Sequence, residues 1–169
     1  MSNQKNLKVK EEIPLMGVPI AEREQQASVM STLLADQVPT YLIKQDKYYK
    51  RDYLYSTPQG DYSDNAERFI FFSRSILEML KKLNFAPDII HCNDWQTGLV
   101  PALLSLEKQA PPTVFTIHNM AYQGLFPHAS FVELDLPDSL WSHDALEFHG
   151  QLSFIKGGLV YADRITTVS

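Results

Sequence analysis

Residues 63–169 carry a fixed alternation: a helical stripe, then strand, helix, strand, loop, helix and strand. This order constrains the fold more than any other feature of the chain. Three apolar runs, "DIIHC" (88–92), "TVFTIHN" (113–119) and "RITTVS" (164–169), read as buried strands. Between them, "WQTGLVPALLSLEK" and "GQLSFIKGGLVYAD" read as helices. The first is expected to turn Leu99, Leu103 and Leu106 inward, with Pro101 tolerated near its start. The second carries Leu152, Ile155 and Leu159 on one face, and its Gly157-Gly158 pair permits close helix–sheet packing. Strands alternating with helices imply βαβ units and a parallel sheet covered on both faces.

Upstream, Phe69, Phe72, Ile76, Met79 and Leu83 follow at spacings of 3, 4, 3 and 4, which predicts a helix over 65–83. Asp64 or Asn65 can cap it, Glu67 suits its first turn, and Lys81 and Lys82 suit its last. Residues 1–62 read as a β-rich region with two strands, 25–34 and 39–45, joined by a short turn. The stretch "DKYYKRDYLYSTPQGDYSD" reads as an ordered loop, its tyrosines pinning it in place or offering flat faces to a sugar. With 169 residues the chain is sized for one domain.

Parallel strands share direction, so the polar tips His91-Cys92-Asn93-Asp94-Trp95 and His118-Asn119 lie at one rim of the sheet. Ligands of open parallel sheets bind outside the carboxyl ends of the strands. Asp94 and His118 are therefore candidate site residues, although a helix cap for Asp94 and a structural role for His118 also fit. Cys92 sits inside a strand and reads as a buried residue, not a nucleophile. His91 and Cys92 point to opposite faces, which argues against a shared metal. A net charge of −5 with no basic stripe argues against nucleic acid, and no apolar run of the ~20 residues needed for a membrane span is found. The single cysteine rules out an intrachain disulfide and fits a reducing compartment.

The segments "HCNDWQTGLVPALL", "VFTIHNMAYQGLF" and "GQLSFIKGGLVYADRITTVS", with "VPTYLIKQDKYYKRDYLY" and "GDYSDNAERFIFFSRSILE" before them, resemble the N-terminal domain of the ADP-glucose-dependent glycogen and starch synthases. The resemblance runs over residues 8–169, and "HCNDW" is similar to the wording of the cyanobacterial and plastid types. It implies an α/β fold: a partial Rossmann-like parallel sheet from the N-terminal domain of a GT-B glycosyltransferase. It implies retaining transfer of glucose from ADP-glucose to the non-reducing end of an α-1,4-glucan, without a metal or other cofactor, in the cytoplasm or a plastid stroma. By this resemblance His118 meets the donor glucose and Asp94 is a carboxylate of the same pocket. Trp95, Asn119 and Tyr55 match positions around the sugar and acceptor. The chain has no match to the family's Lys-x-Gly-Gly-Leu loop or to its second Rossmann-like domain. It is accordingly expected to be a single partial domain, an internal piece of a synthase that is inactive alone. A non-catalytic glucan-binding or interaction module is the alternative expectation.

Overall fold

The computed structural model describes residues 8–13, 27–33 and 39–168. Three antiparallel strands come first, β1 (Lys8–Ile13), β2 (Ala27–Leu33) and β3 (Pro39–Lys44), in the order β1-β2-β3. The hairpin expected over 25–45 is thus present as β2 and β3; its connecting turn lies outside the described residues. β1 was not expected, its charged sequence hiding the strand. A short helix α1 (Asp46–Tyr49) and a two-residue hairpin of β4 (Ser56–Thr57) and β5 (Gly60–Asp61) lead to the helix α2 (Asn65–Lys82).

α2 matches its predicted range, but it is buried on more than one side. Phe69, Ile70 and Leu77 join the main core, while Phe71 packs on Tyr48 with ring centroids 4.9 Å apart. The tyrosine-rich loop is therefore pinned to α2, with Ile43 of β3 packed against the same cluster. Arg51 pairs with Asp64 at 2.5 Å, and Lys47 pairs with Glu67 at 2.9 Å. Buried Arg68 donates through Nε to the Tyr48 carbonyl (2.9 Å) and through a guanidinium NH to Asn65 Oδ1 (2.6 Å). Asp64 sits at the cap position but makes no capping hydrogen bond, because its carboxylate is taken by Arg51.

The parallel sheet has β7 (Thr113–Ile117) at its centre, flanked by β6 (Ile90–Asn93) and β11 (Arg164–Thr167). Between β6 and β7 runs a 3-10 turn, Trp95–Thr97, and then α3 (Leu99–Leu104). The stretch from β7 to β11 contains β8 (Leu125–Pro127), α4 (His128–Glu133), β9 (Glu147–Phe148), β10 (Gln151–Ser153) and α5 (Phe154–Tyr161). β8, β10 and β9 form a small antiparallel sheet of their own.

Three expectations need correction here. α3 stops at Leu104, so Leu106 lies beyond the helix and is 48% exposed, while Leu99 and Leu103 are buried as expected. The helix read over 150–163 begins only at Phe154; Leu152 is buried, but in a strand. The sheet is covered on one face, not two, among the described residues. Its strands follow one another in chain order, and right-handed crossovers then place every connecting helix on the same side. Cys92 and Phe115 face those helices and are buried, whereas His91, Asn93, Arg164 and Thr166 on the other side are exposed. A hydroxyl ladder crosses that open side, with His91 Nε2 2.6 Å from Thr116 Oγ1 and Thr116 Oγ1 2.5 Å from Thr166 Oγ1. Among the described residues no helix is long and apolar enough to cross a membrane.

At the opposite end of the strands, Asp163 ties β11 to β7. Its Oδ2 accepts from Thr113 N at 2.7 Å and from Thr113 Oγ1 at 3.1 Å. The Thr113 N–H, followed by its hydroxyl, holds the Asp163 carboxyl below its ordinary range. A carboxyl depressed on folding contributes stability above its unfolded pKa of ~3.9, and that contribution is lost as the pH falls through the folded value. Asp163→Asn should therefore melt below the parent chain at pH 7, with the gap closing under acid. Melting curves from neutral to strongly acidic pH check this, and a gap that persists at the acid end contradicts it.

Candidate functional site

The carboxyl ends of β6 and β7 are adjacent by register, since Asn93 pairs with Thr116. The ladder continues one step further, with Asp94 N donating to the Thr116 carbonyl at 2.8 Å. His118 follows β7 directly and its Nε2 lies 2.9 Å from Asn93 Oδ1. An amide oxygen only accepts, so in this pairing Nε2 carries the proton and a neutral ring keeps Nδ1 as a free acceptor. Both His118 and Asn93 are exposed. Asn93 was not among the candidate residues. Its place beside His118 depends on strand register, which the apolar pattern does not reveal.

Asp94 has a strained backbone (φ +62°, ψ 177°), a region that residues other than glycine rarely adopt and that clusters at functional sites. Its carbonyl accepts from both Thr97 N and Thr97 Oγ1 at 3.0 Å, closing the 3-10 turn. The Asp94 side chain makes no capping hydrogen bond. Instead, Asp94 Oδ1 is buried with no hydrogen-bond partner within the described protein. A buried carboxylate oxygen without a donor is costly. The cap role is therefore unfilled, and an acceptor is left unspent beside the rim.

Trp95 points the other way. It is 7% exposed, and its ring meets those of Phe69 (4.8 Å), Phe126 (6.1 Å) and Phe154 (6.2 Å). Gly124 (φ +59°) presses on the same indole, where a Cβ would fall 2.5 Å from the ring. Tyr55, 41% exposed, covers the outer side at 6.0 Å from Trp95. Asn65 fixes Tyr55 by donating from Nδ2 to its carbonyl at 2.8 Å. Asn119 is exposed, and its Oδ1 accepts from Ala121 N at 3.0 Å, turning the chain away from β7.

The structure thus brings Asp94, His118 and Asn119 to one rim and links Tyr55 to it through Trp95, which is itself a packing residue at this position. Cys92 is buried, and burial pushes its thiol up to about 12, far from a reactive thiolate. What the rim presents is an imidazole, a carboxylate, amides and an aromatic edge. These groups exchange hydrogen bonds with hydroxyls. A 660 Å³ concavity lies elsewhere, between the end of α2 and residues 104–111, with mostly apolar walls.

Comparison with known proteins bears on this arrangement. The family described as starch synthase catalytic domain matches residues 1–169. "Glycogen synthase 2" of Geobacter sulfurreducens is 53% identical over 138 residues, covering 78% of this chain and 28% of the relative. "Glycogen synthase 1" of Methylococcus capsulatus is 48% identical over 169 residues, covering 94% of this chain and 34% of the relative. Among solved structures, the catalytic domain of starch synthase IV from Arabidopsis thaliana, bound to ADP and acarbose, superposes with a TM-score of 0.74 at 27% identity. That match covers 85% of this chain and 30% of the other. The chain spans about a third or less of the length of these relatives.

Proposed function

The chain belongs to the starch synthase catalytic domain family, and on that premise we propose that it forms the sugar-binding rim of an ADP-glucose-dependent α-1,4-glucan synthase. The reaction is a retaining transfer of glucose from ADP-glucose to the non-reducing end of the glucan. The observation that carries this reading is that Asp94, whose Oδ1 has no protein partner, and the exposed His118 both follow the carboxyl ends of adjacent parallel strands.

His118, held by Asn93, presents Nδ1 to a donor hydroxyl. Asp94, half-buried at the same rim, accepts from a second hydroxyl through its carboxylate. Asn119 and Tyr55 border the acceptor side, and Trp95 supports Tyr55 from beneath. The transferred glucose leaves a nucleoside diphosphate, whose developing charge needs donors or cations placed against it. None of Tyr55, Asn93, Asp94, Trp95, His118 and Asn119 is a lysine or arginine. The 169-residue chain alone is therefore expected to show no transfer.

The test is a chimera in which this chain replaces the matching segment of the Geobacter sulfurreducens relative. It should move labelled glucose from ADP-glucose to glycogen, whereas the chain alone should not. An inactive but folded chimera would count against the reading, as would robust incorporation by the chain alone.

A further inference from the structure

Away from the rim, α4 and the turn after it build a small aromatic cage. The centroids of His128 and Trp141 are 4.3 Å apart, those of Phe131 and Trp141 5.0 Å, and those of His128 and Phe131 6.1 Å. Together with Asp135 and Asp138, these rings line a 280 Å³ concavity. The cage is fixed from below. Phe131, Leu134 and Leu140 are buried in the main core, and Arg74 donates to the Leu134 carbonyl. Asp135 N donates to the Val132 carbonyl (3.1 Å) and Trp141 N to the Asp138 carbonyl (2.9 Å), which sets the two turns that carry the carboxylates.

The side chains of His128, Trp141, Asp135 and Asp138 make no hydrogen bond within the described protein, and Asp135 is in addition drawn electrostatically to the Arg74 guanidinium. Their unspent capacity is mixed. The indole N–H donates, the imidazole does either, and the carboxylates accept. A cation would use the ring faces and the acceptors only. A polyhydroxylated ring uses apolar faces, acceptors and donors together. The volume falls below the ~300–1,000 Å³ of sites that enclose a drug-sized ligand, so a single sugar ring of a longer chain is the better fit.

We propose that this cage is a second α-glucan contact, separate from the rim, that holds one glucose unit of the acceptor chain. The proposal rests on the reading of the chain as part of an α-glucan synthase. Its place in the fold suits a tether. His128 follows two residues after Phe126, whose ring meets Trp95 behind the rim. Two attachment points on one glucan raise the effective concentration of its end at the site of transfer.

The chain has two tryptophans, Trp95 and Trp141, so its indole N–H spectrum resolves the cage from the core. Titration of the 169-residue chain with maltoheptaose should shift the Trp141 signal saturably. In Asp135→Asn/Asp138→Asn the affinity should fall about tenfold or more, because charge-assisted hydrogen bonds are lost. Asn tolerates the left-handed backbone of Asp135 (φ +49°), and Asp138→Asn alone, which leaves the attraction between Asp135 and Arg74 in place, should weaken binding in the same direction with an unchanged melting temperature. His118→Ala should leave the Trp141 response intact. Loss of binding in His118→Ala with full binding in the double variant would overturn the cage and leave the rim reading standing. A Trp141 signal unmoved by maltoheptaose, or moved by tetramethylammonium instead, would also overturn it. Failure of the synthase reading is registered separately, by the chimera's transfer assay.

Discussion

Gly98→Ala should abolish cooperative folding of the chain. The residue sits in helical backbone between the Trp95–Thr97 turn and α3, where glycine is not required for its φ of −61°. The requirement is space. A Cβ at Gly98 would lie 2.0 Å from the Phe154 carbonyl oxygen and 2.6 Å from its carbon. Both are main-chain atoms at the start of α5, so no rotamer change relieves the clash. The approach is reciprocal, since a Cβ at Gly157 would lie 2.4 Å from the Gly98 oxygen. Separating the two helices would also move Phe154, which is fully buried and packs on Phe126 at 4.8 Å. Overpacking typically costs ~1–3 kcal/mol when side chains can shift. Here the backbone must shift, and a domain with ~5–15 kcal/mol of total stability has little margin for it. Gly158→Ala provides a graded comparison, because its Cβ would meet the Phe115 ring at 2.6 Å and not backbone. Urea unfolding should show a lowered midpoint for Gly158→Ala and no cooperative transition for Gly98→Ala. A parent-like midpoint for Gly98→Ala would mean that α3 and α5 do not cross as described.

The parts of this fold that were legible in the sequence are those with a long or one-sided pattern. The stripe from Phe69 to Leu83 announced α2, and the apolar runs around Ile90, Phe115 and Ile165 announced the parallel strands. The segment between His118 and Phe154 was not legible. Its strands are two or three residues long, and Leu152, Ile155 and Leu159 happen to fall at helical spacing across a strand–helix junction. Coverage of the sheet was misjudged because alternation of strands and helices does not state strand order, and order decides which face the crossovers take. At the site, shared strand direction was enough to bring Asp94 and His118 to one rim. The inward turn of Trp95 was hidden, because it depends on Phe126 and Phe154 arriving from distant segments. The donor and the reaction came from the family resemblance, which no periodicity could replace.

The central claim is that Asp94 and His118 serve a sugar and not the fold, and the two roles predict opposite outcomes. Asn at position 94 keeps the shape of Asp and adds no strain to a backbone already strained (φ +62°, ψ 177°), and the charge it removes has no hydrogen-bond partner at Oδ1 to lose. His118→Ala gives up one exposed hydrogen bond, to Asn93, worth ~0.5–1.5 kcal/mol. Neither change should lower stability by more than that. On the proposed reading each removes a contact to the reacting sugar, and losses of about 10²–10³ in turnover are typical when one group that stabilises a transition state is deleted. The decisive measurement is the rate of labelled glucose transfer from ADP-glucose to glycogen by the chimera carrying Asp94→Asn or His118→Ala, with the melting temperature taken on the same samples. The account predicts that most turnover is lost while the melting temperature stays within a few degrees of the parent chimera. Turnover preserved alongside a collapsed melting temperature would contradict it and return both residues to a purely structural role.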